Sequence, residues 1–269
     1  PAASSTAFQH GTHVASTAVG IIAGTTHGVA PDADLVFSTF ADNGTNQAAD
    51  IDTARTSHSA IVMNNSWHYL HKSDTSAVEW SELVTSAANN GNNIRQELTS
   101  GSFSGYSVFG SHTSTYITAL DNFQNSGVIV WANSNFSGDS DTSVLAGLPN
   151  YFNGTDDSVD LSDAWLSVMY AAFTGSSLSG ASTSDFTRNG NPCGASKEWC
   201  LVVDDTQIGA AGYVNGSGTS IYSIASGSSM GAPQVSGMIA LLAQAFPNHT
   251  PEQLTDRLLA SANNDWFTP

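Results

Sequence analysis

The sequence predicts an α/β fold with a mostly parallel central sheet, on three observations. Short apolar runs of strand length alternate with helix-length stretches of small and amphipathic residues through the first half of the chain, the pattern of right-handed strand–helix–strand units. Polar residues follow two of those runs, at Asn64-Asn65-Ser66 and Asn133-Ser134-Asn135. In open parallel sheets functional groups gather there, at the strands' carboxyl ends. The chain has 269 residues, 40% of them hydrophobic, enough for one large domain (1–269) with a sizeable core.

Taken in order, His10 to Ala23 is rich in small and apolar residues and reads as a helix. Gly24 to Pro31 is a turn-rich link, and Leu35 to Phe40 reads as a buried strand. Gln47 to Ser59 is helical, with Asn46 a possible cap. Ala60 to Ser66 is a second strand and Ser76 to Asn89 another helix. Residues 89–114 are crowded with Gly, Ser and Asn and read as an insertion or loop. A helix over Thr115 to Asn125 leads through Gly127 into the strand Val128 to Ala132. Beyond an acidic, turn-rich stretch come strands at Leu166–Phe173, Trp199–Val203 and Ser220–Ala225. An apolar helix over Ser229–Ala245 and an amphipathic one over Pro251–Asn263 close the chain.

Charge excludes whole classes of partner. There are 23 acidic residues against 6 basic, a formal net of −17. Nucleic acid and anionic membrane surfaces need Lys and Arg that this chain lacks. No apolar run approaches the ~18 residues of a membrane span. The excess of negative charge fits a soluble secreted protein kept apart by self-repulsion, or one adapted to salt. Pro1 in place of an initiator Met, and the abrupt tail at Pro269, lead us to expect a chain processed or truncated at both ends.

Chemistry concentrates in two motifs. Gly227-Ser228-Ser229-Met230-Gly231-Ala232-Pro233 places a serine among small residues at the opening of a helix, where unpaired N–H groups and the helix dipole suit a developing oxyanion. His10-Gly11-Thr12-His13-Val14-Ala15 supplies an imidazole that can take a serine proton near neutral pH. The local alternatives are a simple helix cap for Ser229 and a structural role for His13.

Both motifs, in this order, resemble those of the subtilisin-like serine proteases, over about residues 8 to 264. The resemblance implies a three-layer fold, with His10 as general base and Ser229 as nucleophile. It makes Asn135 the oxyanion donor, with Asn133 a rival because the turn register is open. It also implies that Ser66, Trp67 and His68 line one side of a polypeptide-binding cleft and that Asn133 and Ser134 line the other. His68 stands where the family usually has Gly. The family's catalytic Asp precedes the His, yet no acidic residue precedes His10. The Asp-bearing strand is therefore expected upstream of this chain, on a separate cleaved fragment or a missing segment, and the alternative is an inactive binding or surface module. The same heptapeptide fits the elbow of α/β-hydrolases, but that fold needs an acid and then a His after the serine, and no Asp or Glu lies between Ser229 and His249.

Cys193 and Cys200 are close enough in sequence to bridge within one loop, a constraint worth roughly 2.5 kcal/mol in a chain-entropy account. Two free thiols are the alternative. A bridge points to an oxidising compartment, secreted or at the cell surface. The segment from Cys193 to Leu201 further resembles subtilases of bacterial autotransporters. No cofactor is required by the implied chemistry. Calcium is common in the family, and the acidic turns at Asp139–Asp141 and Asp156-Asp157 are either oxygen ligands for such a structural ion or plain solvated turns.

Overall fold

The computed structural model describes residues 6–22, 26–38, 44–71, 76–100, 110–177, 181–214 and 220–262. Helix α1 (Thr6–Val19) leads into a short antiparallel pair, β1 (Ile21–Ile22) and β2 (Thr26–His27). Then follow α2 (Gly44–His58), β3 (Val62–Asn65), α3 (Trp80–Asn90), α4 (Ile94–Ser100), α5 (Thr113–Gln124), β4 (Val128–Ala132) and β5 (Trp165–Phe173). The last third carries β6 (Phe186–Arg188), β7 (Cys200–Asp204), β8 (Ile208–Val214), β9 (Ser220–Ala225), α6 (Ser228–Ala245) and α7 (Pro251–Ser261).

β3, β4 and β5 run parallel in that order, with Val62 opposite Val128 and Ile129 opposite Trp165. β7 adds in parallel to the far side of β5, and β6 pairs antiparallel with the end of β5. Because strand side chains alternate, β4 feeds two cores. Ile129 and Trp131, with Trp165 of β5, pack against Leu83, Leu98, Ile117, Leu120 and Phe123 of α3, α4 and α5. Val128, Val130 and Ala132, with Leu166 and Val168, pack against Val235, Ile239, Leu254 and Leu258 of α6 and α7. The result is helices on both faces of a mostly parallel sheet, three layers in all. Burial on both faces is why β4 reads as an unbroken apolar run. Trp131 stacks on Trp165 at 5.6 Å and 7°, a pair worth about 0.5–1.5 kcal/mol beyond area burial.

Local chemistry sets the helix ends. Glu79 and Glu82 form a reciprocal capping box at the start of α3, which stops at Gly91 with φ 66°. Thr250 and Gln253 do the same for α7, with Pro251 in its first turn.

Two expectations need correction. Leu35 to Ser38 form no strand; Leu35 is 54% and Phe37 69% exposed, while residues 39–43 lie outside the described residues. A strand needs a neighbour for its N–H and C=O groups, and this segment pairs with none among the described residues. Residues 89–114 are not all loop, since α4 lies among them with Ile94 and Leu98 in the core. Glu97 of α4 is fully buried and accepts hydrogen bonds from Ser86 Oγ (2.6 Å), Asn92 Nδ2 (2.8 Å) and Asn90 Nδ2 (2.9 Å). Arg95 grips Asp157 through two bonds of 2.7 Å. The polar residues that suggest a loop include two of these partners, Asn90 and Asn92. Residues 101–109 lie outside the described residues.

Strands β8 and β9 form an antiparallel hairpin with an irregularity between Ala211 and Tyr213. The Gly and Ala of Gly209–Gly212 give β8 no apolar alternation to read.

Candidate active site

The carboxyl ends of β3 and β4 and the amino end of α6 meet at one place. There most donors of the first turn of α6 have a definite partner. Gly227 N–H donates to the Asp205 carbonyl (3.1 Å) and Met230 N–H to the Gly227 carbonyl (2.7 Å). Ser228 N–H donates to Asn135 Oδ1 (2.8 Å). The Ser229 N–H has no partner among the described residues, so it is the donor left facing the site.

Asn135 is exposed beside it. Its Oδ1 accepts from Ser228 Oγ (2.9 Å) as well as from Ser228 N–H. Two donors on one atom identify that atom as oxygen and turn the amide nitrogen away as a donor. The approach requires glycine at 227, where φ is 136° and an added Cβ would stand 2.8 Å from Asn135 Oδ1. Ser134, the preceding residue, is buried with φ 114°. That conformation is strained for a residue with a Cβ, and Ser134 N–H is held by Ser228 Oγ at 3.1 Å. Ser228, to which the sequence motif alone assigns no role, thus clamps the turn from both sides.

Ser229 is nearly buried. Its Oγ donates to the Ser66 carbonyl (3.4 Å), and Ser66 Oγ donates to the Ser229 carbonyl (3.0 Å). The Ser66 hydroxyl is therefore turned to α6. Trp67 packs on the core, with its ring 5.2 Å from Trp131 and 5.6 Å from Tyr69, and its carbonyl accepts from Trp131 Nε1 (3.0 Å). Of the three residues placed after β3, His68 alone reaches across the cleft. Its ring meets Phe136 edge-on at 6.0 Å, and its Nδ1 is buried without a hydrogen-bond partner. Burial first, and then the neighbouring His10, lower its pKa to about 4.

His10 lies in α1 within electrostatic reach of His68. Burial, and secondarily His13, hold its pKa below the ordinary histidine value. Among the described residues no hydrogen bond joins His10 to Ser229, and no carboxylate contacts either ring nitrogen of His10. His13 is structural, as its position one turn along predicts: it is buried and donates from Nε2 to the Ile208 carbonyl (3.0 Å), tying α1 to β8.

Asn133 is not a cleft residue. It is completely buried; its Nδ2 donates to the Pro192 carbonyl (2.6 Å) and its Oδ1 accepts from Thr142 Oγ1 and from Ser143 N–H (3.0 Å). Of the two amides, Asn133 is thus fully engaged by protein partners, while Asn135 is exposed beside Ser229. The Asn133 network also joins the turn to the segment fixed by the Cys193–Cys200 disulfide, whose cysteines are seven positions apart.

The acidic turns are largely engaged by protein donors. Asp141 Oδ1 accepts from Ala195 and Thr142 N–H and its Oδ2 from Ser81 N–H; Asp139 Oδ2 accepts from Asn191 Nδ2 and Ala77 N–H. Asp156 accepts from Asn153 Nδ2, and Asp157 is held by Arg95. Lone pairs so engaged are poor metal ligands, and no cluster of three His, Cys, Asp or Glu that could hold a metal occurs among the described residues. No helix among the described residues is long and apolar enough to cross a membrane.

The family model described as "Subtilase family" matches residues 2–268. No curated protein matches the chain in sequence. Among solved structures, the prenylagaramide maturation protease PagA is similar at 20% identity and TM-score 0.58, covering 96% of this chain and 75% of that one. The protease domain of PatA matches at 20% identity and TM-score 0.59, covering 98% and 76%. Fervidolysin from Fervidobacterium pennivorans matches at 22% identity and TM-score 0.59, covering 95% of this chain and 32% of its own. At these identities the structures speak to the fold, which is the subtilisin-like α/β fold.

Proposed function

Because this chain belongs to the subtilase family of serine proteases, we propose that it is an endopeptidase working through an acyl-enzyme on Ser229. The observation that carries the reading is the pair of oriented donors at the start of α6. The Ser229 N–H lacks a partner among the described residues, and Asn135 Nδ2 is turned outward by the two Ser228 donors on its Oδ1. In this mechanism His10 takes the Ser229 hydroxyl proton as Oγ attacks the peptide carbonyl. The oxyanion is held by Ser229 N–H and Asn135 Nδ2. His10 then gives its proton to the leaving amine, and water releases the acyl group. No cofactor enters these steps. The extended substrate lies between the segment ending in His68 and the Ser134-Asn135 turn.

The orienting acid belongs, in this reading, to a polypeptide segment outside residues 1–269. Support comes from two features: among the described residues His10 has no carboxylate contact and the outer edge of β3 pairs with no strand. Exposed Leu35, Val36, Phe37 and Ile61 supply apolar surface of the kind an added strand buries. Asp205 does not fill the role: its carboxyl lies against Gly231, and no contact joins it to His10 among the described residues. That segment is either continuous with this chain or a cleaved fragment that stays bound.

We place the protein outside the cell, secreted or displayed by an autotransporter. The disulfide and the acidic surface support an oxidising, extracellular setting. A second reading, an inactive binding module, is favoured by the lack of a His10–Ser229 hydrogen bond among the described residues. The two part on one experiment: with the upstream segment present, the wild type cleaves a casein or peptide substrate and Ser229→Ala does not. Cleavage retained by Ser229→Ala excludes Ser229 as the nucleophile.

A further inference from the structure

Pro233 lies inside α6, four residues after Ser229. Proline has no N–H, so the helical bond that residue 233 owes to the Ser229 carbonyl is missing, and the pyrrolidine ring crowds that carbonyl. A nearly buried carbonyl left without a donor is costly. Here the donor is Ser66 Oγ, at 3.0 Å, from the segment after β3. We propose that Ser66 is a positioning residue for the nucleophile, its hydroxyl standing in for the N–H that Pro233 lacks. The inference rests on the reading of Ser229 as nucleophile.

Three further contacts make the substitution directional. Asn64 Nδ2 donates to Ser66 Oγ (3.0 Å), which directs the Ser66 proton onward to the Ser229 carbonyl. Ser236 Oγ, two turns along α6, shares its proton between Asn64 Oδ1 (3.1 Å) and the Ala232 carbonyl (3.0 Å). A chain of donors therefore leaves α6 at Ser236, crosses the end of β3 and returns to α6 at Ser229. The Ser66 carbonyl in turn accepts the Ser229 hydroxyl (3.4 Å). Both ends of Ser229 that matter for catalysis, the rotamer of Oγ and the tilt of the peptide unit next to the free N–H, are referred to one residue. An acyl-transfer site tolerates little error in that geometry.

The test is the rate at which a fluorophosphonate probe labels Ser229 in the protein carrying its upstream segment, measured well below the melting temperature recorded for each variant. Ser66→Ala is expected to slow labelling about 5- to 10-fold, the factor of one net hydrogen bond. Adding Pro233→Ala restores an N–H at residue 233, so the double variant is expected to regain the rate to within about twofold, whatever the two melting temperatures are. A purely structural role for Ser66 lowers the melting temperature and leaves the labelling rate alone. Wild-type label on Ser229 with an unchanged Ser66→Ala rate, or a slow Ser66→Ala that Pro233→Ala fails to rescue, overturns the inference and spares the nucleophile. Absence of label on wild-type Ser229 removes the nucleophile, and the inference with it.

Discussion

Ser228 gives two hydrogen bonds to one atom, Asn135 Oδ1, from its backbone N–H at 2.8 Å and its hydroxyl at 2.9 Å. The pair fixes which end of the amide faces outward, so the residue before the proposed nucleophile decides how the proposed oxyanion donor is presented. Asn135→Leu is expected to lower kcat about 10²–10³-fold with KM little changed, because the donor acts on charge that exists only in the transition state. That magnitude is carried over from the corresponding amide donor of subtilisin. Ser228→Ala is expected to lower kcat by a smaller factor, about 10-fold, since one of two orienting bonds remains. Steady-state kinetics on a peptide substrate check both.

Asp205 predicts an unusual pH dependence. It is fully buried, neither carboxyl oxygen has a close hydrogen-bond partner among the described residues, and burial first, then Asp204, raise its pKa from 3.8 to about 8 against the weaker pull of the Asp205 and Ala171 backbone N–H groups. Between those values the native state keeps a proton that the unfolded chain has released. Its contribution to stability is therefore complete below pH ~4 and is lost progressively as pH rises towards ~8. Asp205→Asn is expected to flatten that slope and to stabilise the protein at pH 8 by about 3–5 kcal/mol. Chemical denaturation from pH 5 to 9 reads it; an identical slope in the variant removes the assignment.

Glu97 tests whether α4 belongs to the core. Burial pulls its pKa up, and the donors Ser86, Asn92 and Asn90 together outweigh that and leave it lowered. Glu97→Ala strands three polar groups and opens a void, with an expected loss of about 2–4 kcal/mol. A change within ~0.5 kcal/mol in urea unfolding marks the segment as peripheral.

Charge predicts a salt response. With 23 acidic and 6 basic residues, self-repulsion destabilises the folded state at low ionic strength. The thermal midpoint is expected to rise from 10 mM to 1 M NaCl as the Debye length falls from roughly 30 to 3 Å. A flat or falling midpoint speaks against electrostatic strain.

The catalytic motifs are legible in the sequence because close packing dictates their small residues. Gly227 must admit Asn135, and Gly231 must admit Asp205, whose Oδ2 would lie 2.7 Å from an added Cβ. The strands β4 and β9 are legible to the residue, and β5 nearly so, from apolar length alone. Asn133 misleads because a polar residue after a strand looks like a cleft residue; its partners Pro192 and Thr142 are distant in sequence, and nothing local announces them. Leu35 to Phe37 have the pattern of a strand but no neighbour among the described residues, and pairing is not a local property. Sequence places Ser66 at the site but does not announce its hydroxyl bond to the Ser229 carbonyl, because the residue that leaves that carbonyl without a helical donor is the distant Pro233.

The most direct measurement of the central claim is the site of covalent modification by a fluorophosphonate, mapped by peptide mass on the protein purified with its upstream segment. The account predicts a single adduct on Ser229, abolished by Ser229→Ala and strongly reduced by His10→Ala. An unmodified Ser229 in folded protein, or an adduct elsewhere that survives Ser229→Ala, contradicts it.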